Sequence, residues 1–191
     1  MIKRYKTALI TGAANGIGSS ILKKLSKYKF KIYALDKDKR NLKKICNETG
    51  ALPLNIDITN IDLLYSRLSK LDIDILINNA GIGNGIEGLL KSSKGDILKS
   101  TRVNYESVLH ILKILVPKMV KKRNGHIFLI GSIAGLYPTD SAIYSSQKTA
   151  IHKIAQSLRI ELSGSRVKLT EITPGRTKTS FANKILSSNK K

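Results

Sequence analysis

A regular alternation of two apolar patterns constrains the fold of this chain more than any other feature. Short apolar runs, often β-branched, predict strands at 7–11, 30–35, 51–56, 73–78, 126–131 and 166–172. Between these runs, apolar residues recur at helical spacing over 16–27, 38–48, 59–70, 96–122 and 143–163. Strands that alternate with helices predict a parallel sheet with helices on both faces. We therefore predict a three-layer, doubly wound α/β fold with strand order 3-2-1-4-5-6.

Length and composition fit one domain. The chain has 191 residues, of which 41% are hydrophobic, enough for a sizeable core. We expect a single domain over 1–186 and a polar, basic tail at 187–191 that frays. No apolar run reaches the roughly 18 residues of a membrane span, and the basic start leads directly into a strand, so we expect neither an anchor nor a signal peptide.

Cysteine and histidine usage also limits the function. Cys46 is the only cysteine, so the chain has no internal disulfide, and we expect a cytoplasmic location. The three histidines have no metal-ligand spacing, so we expect no metal site; they are His110, His126 and His152.

The charge balance is strongly basic, with 34 Lys and Arg against 13 Asp and Glu, a net charge of +21. Such a balance is compatible with a polyanion-binding surface. The lysines are spread along the chain, however, and no aromatic residues are interleaved with them to stack on bases. We interpret the charge as solvated helix faces and expect no nucleic-acid partner.

A glycine-rich segment, Thr11 to Gly18, joins the first strand to the first helix. Its three glycines are Gly12, Gly16 and Gly18. Glycines in such a turn let the backbone approach a pyrophosphate, and the helix N-terminus favours its negative charge. The second strand ends at Asp36, at about the distance along the chain where a carboxylate binds adenosine ribose hydroxyls. This part of the chain is typical of a Rossmann-like dinucleotide site.

A tyrosine and a lysine four residues apart, Tyr144 and Lys148, lie on one face of the predicted fifth helix. An ammonium about 5 Å from the phenol would lower the tyrosine pKa by roughly two units. That shift would let Tyr144 exchange a proton near neutral pH.

Together these residues resemble the shorter, common branch of the short-chain dehydrogenase/reductase family over 7–181. The family's motifs occur in its order: Thr11-Gly12-x3-Gly16-Ile17-Gly18, Asp57-Ile58, Asn78-Asn79-Ala80-Gly81, Asn104, Ser132, Tyr144-x3-Lys148 and Pro174-Gly175. The resemblance implies a catalytic set of Asn104, Ser132, Tyr144 and Lys148. It also implies a cofactor site formed by Gly12, Asn15, Gly16, Ile17, Gly18, Asp36, Asp57, Ile58, Asn79, Ala80, Gly81, Tyr144, Lys148, Pro174, Gly175, Thr177 and Thr179.

The implied function is an NAD(P)-dependent oxidoreductase that transfers a hydride between the nicotinamide and a small carbonyl or alcohol. Tyr144 would act as proton donor or base, Ser132 would bind the substrate oxygen, and Asn104 would hold a water of the proton relay. We expect NAD to be preferred over NADP because Asp36 would repel a ribose phosphate. Two alternatives stay open: a nucleotide-binding regulatory protein with little turnover, and an epimerase or dehydratase of the same family.

The C-terminus departs from the family pattern, because only 176–191 follow the Pro-Gly motif where relatives continue into a helical lobe. We expect this difference to reduce closure over the substrate. The helices at 96–122 and 143–163 are apolar on more than one side, and in the family these helices pair across a twofold axis. We therefore expect a homodimer and not a tetramer. The loops at 82–95, 133–143 and 176–191 contain no motif that names the substrate.

Overall fold

The computed structural model of the protein describes residues 4–177. The strands of this part are β1 Thr7–Thr11, β2 Lys31–Asp36, β3 Leu52–Asn55, β4 Ile75–Asn78, β5 Gly125–Ile130 and β6 Val167–Ile172. Its α-helices are α1 Gly16–Leu25, α2 Lys39–Thr49, α3 Ile61–Leu68, α4 Lys94–Thr101, α5 Ser107–Lys121 and α6 Ala142–Glu161. The predicted tail at 187–191 and the candidate residue Thr179 lie outside the described residues.

The six strands form one parallel sheet in the order β3-β2-β1-β4-β5-β6, which confirms the predicted topology. The chain leaves β1 toward β2 on one side and returns to pair β4 with β1 on the other. The order therefore reverses between β1 and β4, and in open parallel sheets ligands bind beyond the carboxyl ends of the strands at such a reversal.

Two apolar cores lie on opposite faces of the sheet and make the fold three-layered. Successive side chains of a strand point to opposite faces, so Leu9 of β1 joins one core while Ala8 and Ile10 join the other. The core around Leu9 packs against α3, α5 and α6. The core around Ile10 packs against α1 and α2. This arrangement matches the doubly wound prediction.

The predicted helix at 96–122 differs from the others because it contains an irregular turn. The segment from Lys94 to Lys121 is helical throughout, but Arg102–Glu106 forms a π-helical turn between α4 and α5. A π turn inserts an extra residue into the helix and often occurs at functional sites. The remaining predicted helices and strands agree with the structure to within two residues at either end.

Two further findings concern membrane-spanning helices and metal-binding clusters in the described part of the chain. Within residues 4–177, no helix is long and apolar enough to cross a membrane. The same part of the chain contains no cluster of three or more His, Cys, Asp or Glu side chains that could hold a metal ion.

Candidate active site

The glycine turn between β1 and α1 depends on backbone conformations and close approaches that favour glycine. Gly12 and Gly16 have φ angles of 65° and 56°, in the left-handed region. A Cβ on Gly18 would lie 2.1 Å from the Gly12 carbonyl oxygen, far inside van der Waals contact. Asn15 is the N-cap of α1 and makes no side-chain capping bond, and the first turn has no acidic residue. The first amides of α1 are therefore suited to a phosphate group.

Asp36 connects the end of β2 to this turn. One carboxylate oxygen accepts a hydrogen bond from the Ala14 amide at 3.0 Å, and the other accepts one from the Asp38 amide at 3.0 Å. Asp38 in turn accepts a bond from the side chain of Asn15 at 3.3 Å. The carboxylate of Asp36 thus lies directly beside the glycine turn, and its predicted contact with the adenosine ribose stays a prediction.

Asp57 lies in the loop between β3 and α3. Burial opposes its ionisation, but hydrogen bonds from Thr59 and the cation of Lys37 outweigh burial and lower the pKa of Asp57. Lys37 forms an ion pair with Asp57 at 3.4 Å. The adjacent Ile58 is buried in the core. These contacts are structural, and the predicted position of Asp57 and Ile58 beside adenine stays a prediction.

Thr11 and Asn79 join the carboxyl ends of β1 and β4. The Thr11 hydroxyl accepts hydrogen bonds from the amides of Asn79 and Ala80, both at 3.0 Å. The Asn79 side chain donates to the carbonyls of Thr11 at 2.9 Å and Gly12 at 3.2 Å. Sequence reasoning missed the role of Thr11, although the threonine belongs to the quoted glycine motif. Hydrogen bonds to the two residues that follow β4 therefore fix the backbone at the start of the glycine turn.

Ser132 and Tyr144 come together beyond the carboxyl end of β5. Ser132 caps the short 3-10 turn Ile133–Gly135, where its hydroxyl accepts a bond from the Ala134 amide at 3.1 Å. Ser132 also shares a side-chain hydrogen bond with the Tyr144 phenol. Ser132 therefore both caps this turn and contacts the Tyr144 phenol.

Lys148 is a buried cation one helical turn from Tyr144. Only 7% of the residue is exposed, and its Nζ donates to the Ile130 carbonyl at 3.0 Å. Burial lowers the pKa of Lys148 to about 8, and the charge of Glu171 partly offsets this effect. An ammonium in such surroundings is rare unless it has a specific role.

The predicted lowering of the Tyr144 pKa is wrong for this structure. Burial raises the pKa of Tyr144, and the hydrogen bond from Ser132 only partly offsets the increase. The Lys148 Nζ lies 5.8 Å from the centroid of the phenol ring and donates instead to a backbone carbonyl. From the sequence we counted only the attraction between an ammonium and a phenolate about 5 Å apart and not the cost of burying them. The actual site is buried, and burial disfavours both charged forms.

Asn104 lies in the π turn, and only 2% of the residue is exposed. Its side chain accepts from the Ile82 amide at 2.8 Å and donates to the Ile82 carbonyl at 2.9 Å. It also donates to Gln147 at 2.8 Å, and Gln147 donates to the Ser100 hydroxyl at 3.0 Å. A Cβ on Gly81 would lie 3.4 Å from Asn104 and 3.9 Å from Lys148 Nζ. Asn104 therefore links the loop after β4 to α6 next to Lys148.

Gln147 was not found by sequence reasoning. It precedes Lys148 and is buried, whereas the sequence pattern distinguishes only Tyr144 and Lys148 on this helix. The only sequence signal for Gln147 is a polar residue on the inward face of an amphipathic helix. That signal does not identify its hydrogen-bond partners.

The Pro-Gly segment after β6 contacts the turn that Ser132 begins. The Pro174 carbonyl accepts a hydrogen bond from the Ile133 amide at 3.1 Å. Thr177 donates from its hydroxyl to the Gly175 carbonyl at 3.1 Å. These contacts place 174–177 beside the catalytic candidates, and a cofactor contact from this segment stays a prediction.

Comparison with known proteins agrees with this geometry. The sequence profile described as short chain dehydrogenase matches residues 6–190. An uncharacterized short-chain type dehydrogenase/reductase of Sinorhizobium fredii is 33% identical over 181 residues, which cover 94% of this chain and 73% of that protein. An NADP-dependent 3-hydroxy acid dehydrogenase of Salmonella typhi is 30% identical, with 87% of this chain and 71% of the relative covered.

A solved structure is also similar. The closed form of a serine dehydrogenase complexed with NADP+ superposes with a TM-score of 0.88 and 30% identity, over 93% of this chain and 75% of that one. The profile match, the identities and the strand order agree with one another. The chain belongs to the short-chain dehydrogenase/reductase family.

Proposed function

We propose that this protein interconverts a small alcohol and the corresponding carbonyl compound, with a nicotinamide dinucleotide as the hydride carrier and Tyr144 as the proton-exchanging group. The observation that supports this most strongly is the buried Lys148 ammonium next to a Tyr144 phenol that is hydrogen-bonded to Ser132. All three residues lie at or near the carboxyl end of β5, where ligands of such sheets bind.

The glycine turn and the strand ends fit a dinucleotide. The first turn of α1 lacks acidic residues, and free amides at a helix N-terminus favour a pyrophosphate. The proposed cofactor contacts are Gly12, Asn15, Gly16, Ile17, Gly18, Asp36, Asp57, Ile58, Asn79, Ala80, Gly81, Tyr144, Lys148, Pro174, Gly175 and Thr177. The predicted contact from Thr179 stays a proposal that rests on sequence alone.

Each proposed catalytic side chain has a separate role in the proton transfer. The nicotinamide supplies or accepts the hydride when it is bound. In reduction, Tyr144 gives its phenol proton to the substrate oxygen, and in oxidation the phenolate takes the alcohol proton. Ser132 donates to the substrate oxygen, where negative charge develops. Lys148 is charged below its pKa of about 8 and attracts the phenolate from one turn away.

Cofactor choice follows from charges at the end of β2. Asp36, Asp38 and Asp57 place three carboxylates near this edge, and Lys37 is already paired with Asp57. Two like charges about 4 Å apart repel by about 1 kcal/mol in water and about 4 kcal/mol at an effective dielectric of 20. We therefore propose that NADH binds at least about tenfold more tightly than NADPH. The relatives named as NADP-dependent make this a sharp test.

The proposed function is tested with NADH, NADPH and a substrate panel. Fluorescence titration gives the two dissociation constants, and the panel of ketones, alcohols, 3-hydroxy acids and serine measures turnover. Tight NADH binding with turnover supports the proposal, and tighter NADPH binding overturns the cofactor preference. NADH binding without turnover on any panel member would favour the regulatory alternative.

We also propose a homodimer through α5 and α6. A groove of about 600 Å³ lies between these helices and is lined by apolar residues that include Leu109, Val116, Ile154 and Leu158. Leu109 is 39% exposed, although most apolar residues of α5 are buried in the core. An isologous contact would cover this second apolar side.

Light scattering during size exclusion at about 0.15 M and 0.5 M salt tests the assembly. Because each chain carries a net charge of +21, salt should strengthen the dimer. We expect Leu158→Glu to give a monomer and the exposed substitution Lys44→Glu to leave the dimer intact. A wild-type monomer at both salt concentrations would contradict the proposal.

A further inference from the structure

Glu171 is a buried carboxylate for which the catalytic scheme above has no use. It lies on β6 and faces α6, and only 7% of its side chain is exposed. An ionised carboxylate is rarely buried to this degree unless it is paired or hydrogen-bonded. The position of Glu171 therefore requires a physical explanation.

One oxygen of Glu171 has a partner on α6. Its Oε2 lies 2.7 Å from Nδ1 of His152, a residue whose side chain is 31% exposed. The other ring nitrogen of His152 lies 3.0 Å from the Gln156 side chain, near the surface of the helix. His152 thus stands between the buried carboxylate and solvent.

The second oxygen of Glu171 lies next to Gly131, the residue that follows β5. Among residues 4–177, Oε1 is buried without a hydrogen-bond partner. It packs against the backbone of Gly131, where an added Cβ would lie 2.7 Å away. Gly131 directly follows Ile130, whose carbonyl accepts the hydrogen bond from Lys148 Nζ at 3.0 Å. The unpartnered carboxylate oxygen and the buried ammonium therefore lie near the same short piece of β5.

Lys148 and His152 are one turn apart on α6, and Glu171 of the neighbouring strand contacts this side of the helix through His152. Burial lowers the pKa of Lys148, and the negative charge of Glu171 raises it. In a low-dielectric site, a carboxylate that is not in contact with an ammonium still interacts appreciably with it.

We propose that Glu171 is a positioning residue that acts as the buried counter-ion of Lys148 and keeps its ammonium charged beside Tyr144. The groups near the Lys148 ammonium are Tyr144 on α6, Glu171 on β6, the Ile130 carbonyl of β5 and Asn104 in the π turn, and His152 is paired with Glu171. The proposal rests on the proposed function, because Lys148 matters to the reaction through Tyr144.

The test measures the charge of Lys148 directly in the free protein. Lysines are labelled with ¹³C at Cε, the Lys148 signal is assigned with Lys148→Met, and its titration is followed by NMR. We expect Glu171→Gln to lower the Lys148 pKa by about one unit, a tenfold change in the ratio of charged to neutral lysine. The matched control Glu161→Gln removes an exposed carboxylate of α6 and should leave the titration unchanged.

Two further arms keep the result decisive. If Glu171→Gln does not fold, Glu171→Asp and Glu171→Asn provide a pair of equal size that differs in charge, and the aspartate variant should have the higher Lys148 pKa. A Lys148 titration that is the same with and without the carboxylate overturns the proposal. NADH binding by the wild type is measured separately, so failure of the proposed function is distinguished from failure of this inference.

Discussion

Replacement of the buried lysine by an apolar residue of similar length should change how stability depends on pH. Lys148 has a pKa of about 8 in the folded chain, against 10.5 for an ordinary lysine. The folded state therefore binds the proton less strongly than the unfolded state, and the charged lysine destabilises the fold. This cost is complete below pH 8 and is relieved as pH rises from 8 to 10.5.

The magnitude follows from the two pKa values. A difference of about 2.5 units corresponds to about 3 kcal/mol at low pH, and integration between pH 7 and pH 9.5 gives a change of about 2 kcal/mol. Lys148→Met removes this titration. The free energy of unfolding of the wild type should therefore rise by about 2 kcal/mol relative to the variant over that interval.

Urea unfolding of both proteins at pH 7 and pH 9.5 measures the effect. The comparison is a difference of differences, so titrations common to both proteins cancel. Lys44→Met, at an exposed site on α2, controls for the loss of a lysine as such. If wild type and Lys148→Met change in parallel between the two pH values, the reasoning about burial is refuted.

Three further predictions concern the site itself. Tyr144→Phe should abolish turnover while NADH still binds, and substrate-dependent NADH oxidation within about tenfold of wild type would contradict the role of the phenol. Gly18→Ala should cost more than about 2 kcal/mol of stability and eliminate NADH binding in titrations, because its Cβ would lie 2.1 Å from the Gly12 carbonyl oxygen. Asp36→Ser should narrow the ratio of NADPH to NADH dissociation constants by about tenfold, and an unchanged ratio would remove Asp36 from cofactor selection.

The fold was predictable because its determinants are local and periodic. Alternating apolar patterns predicted six parallel strands with helices between them, and the rule of right-handed crossovers then gave the observed order. The glycine turn was predictable for the same reason, because its chemistry depends on consecutive residues. The closeness of Asp36 to the turn followed from the general rule that parallel strands end at one edge of a sheet.

Burial at the site was decided by the tertiary structure alone. The Tyr144–Lys148 spacing correctly placed both residues on one helix, but it could not show that both are buried and that burial shifts both pKa values toward the neutral forms. Likewise, Gln147 and Glu171 belong to no motif, and their contacts with Asn104 and His152 join residues that are distant in sequence. Sequence by itself determined which chemical groups this protein has and on which elements they lie. Only the packing of those elements decided which groups lose water, and desolvation is what sets their charge.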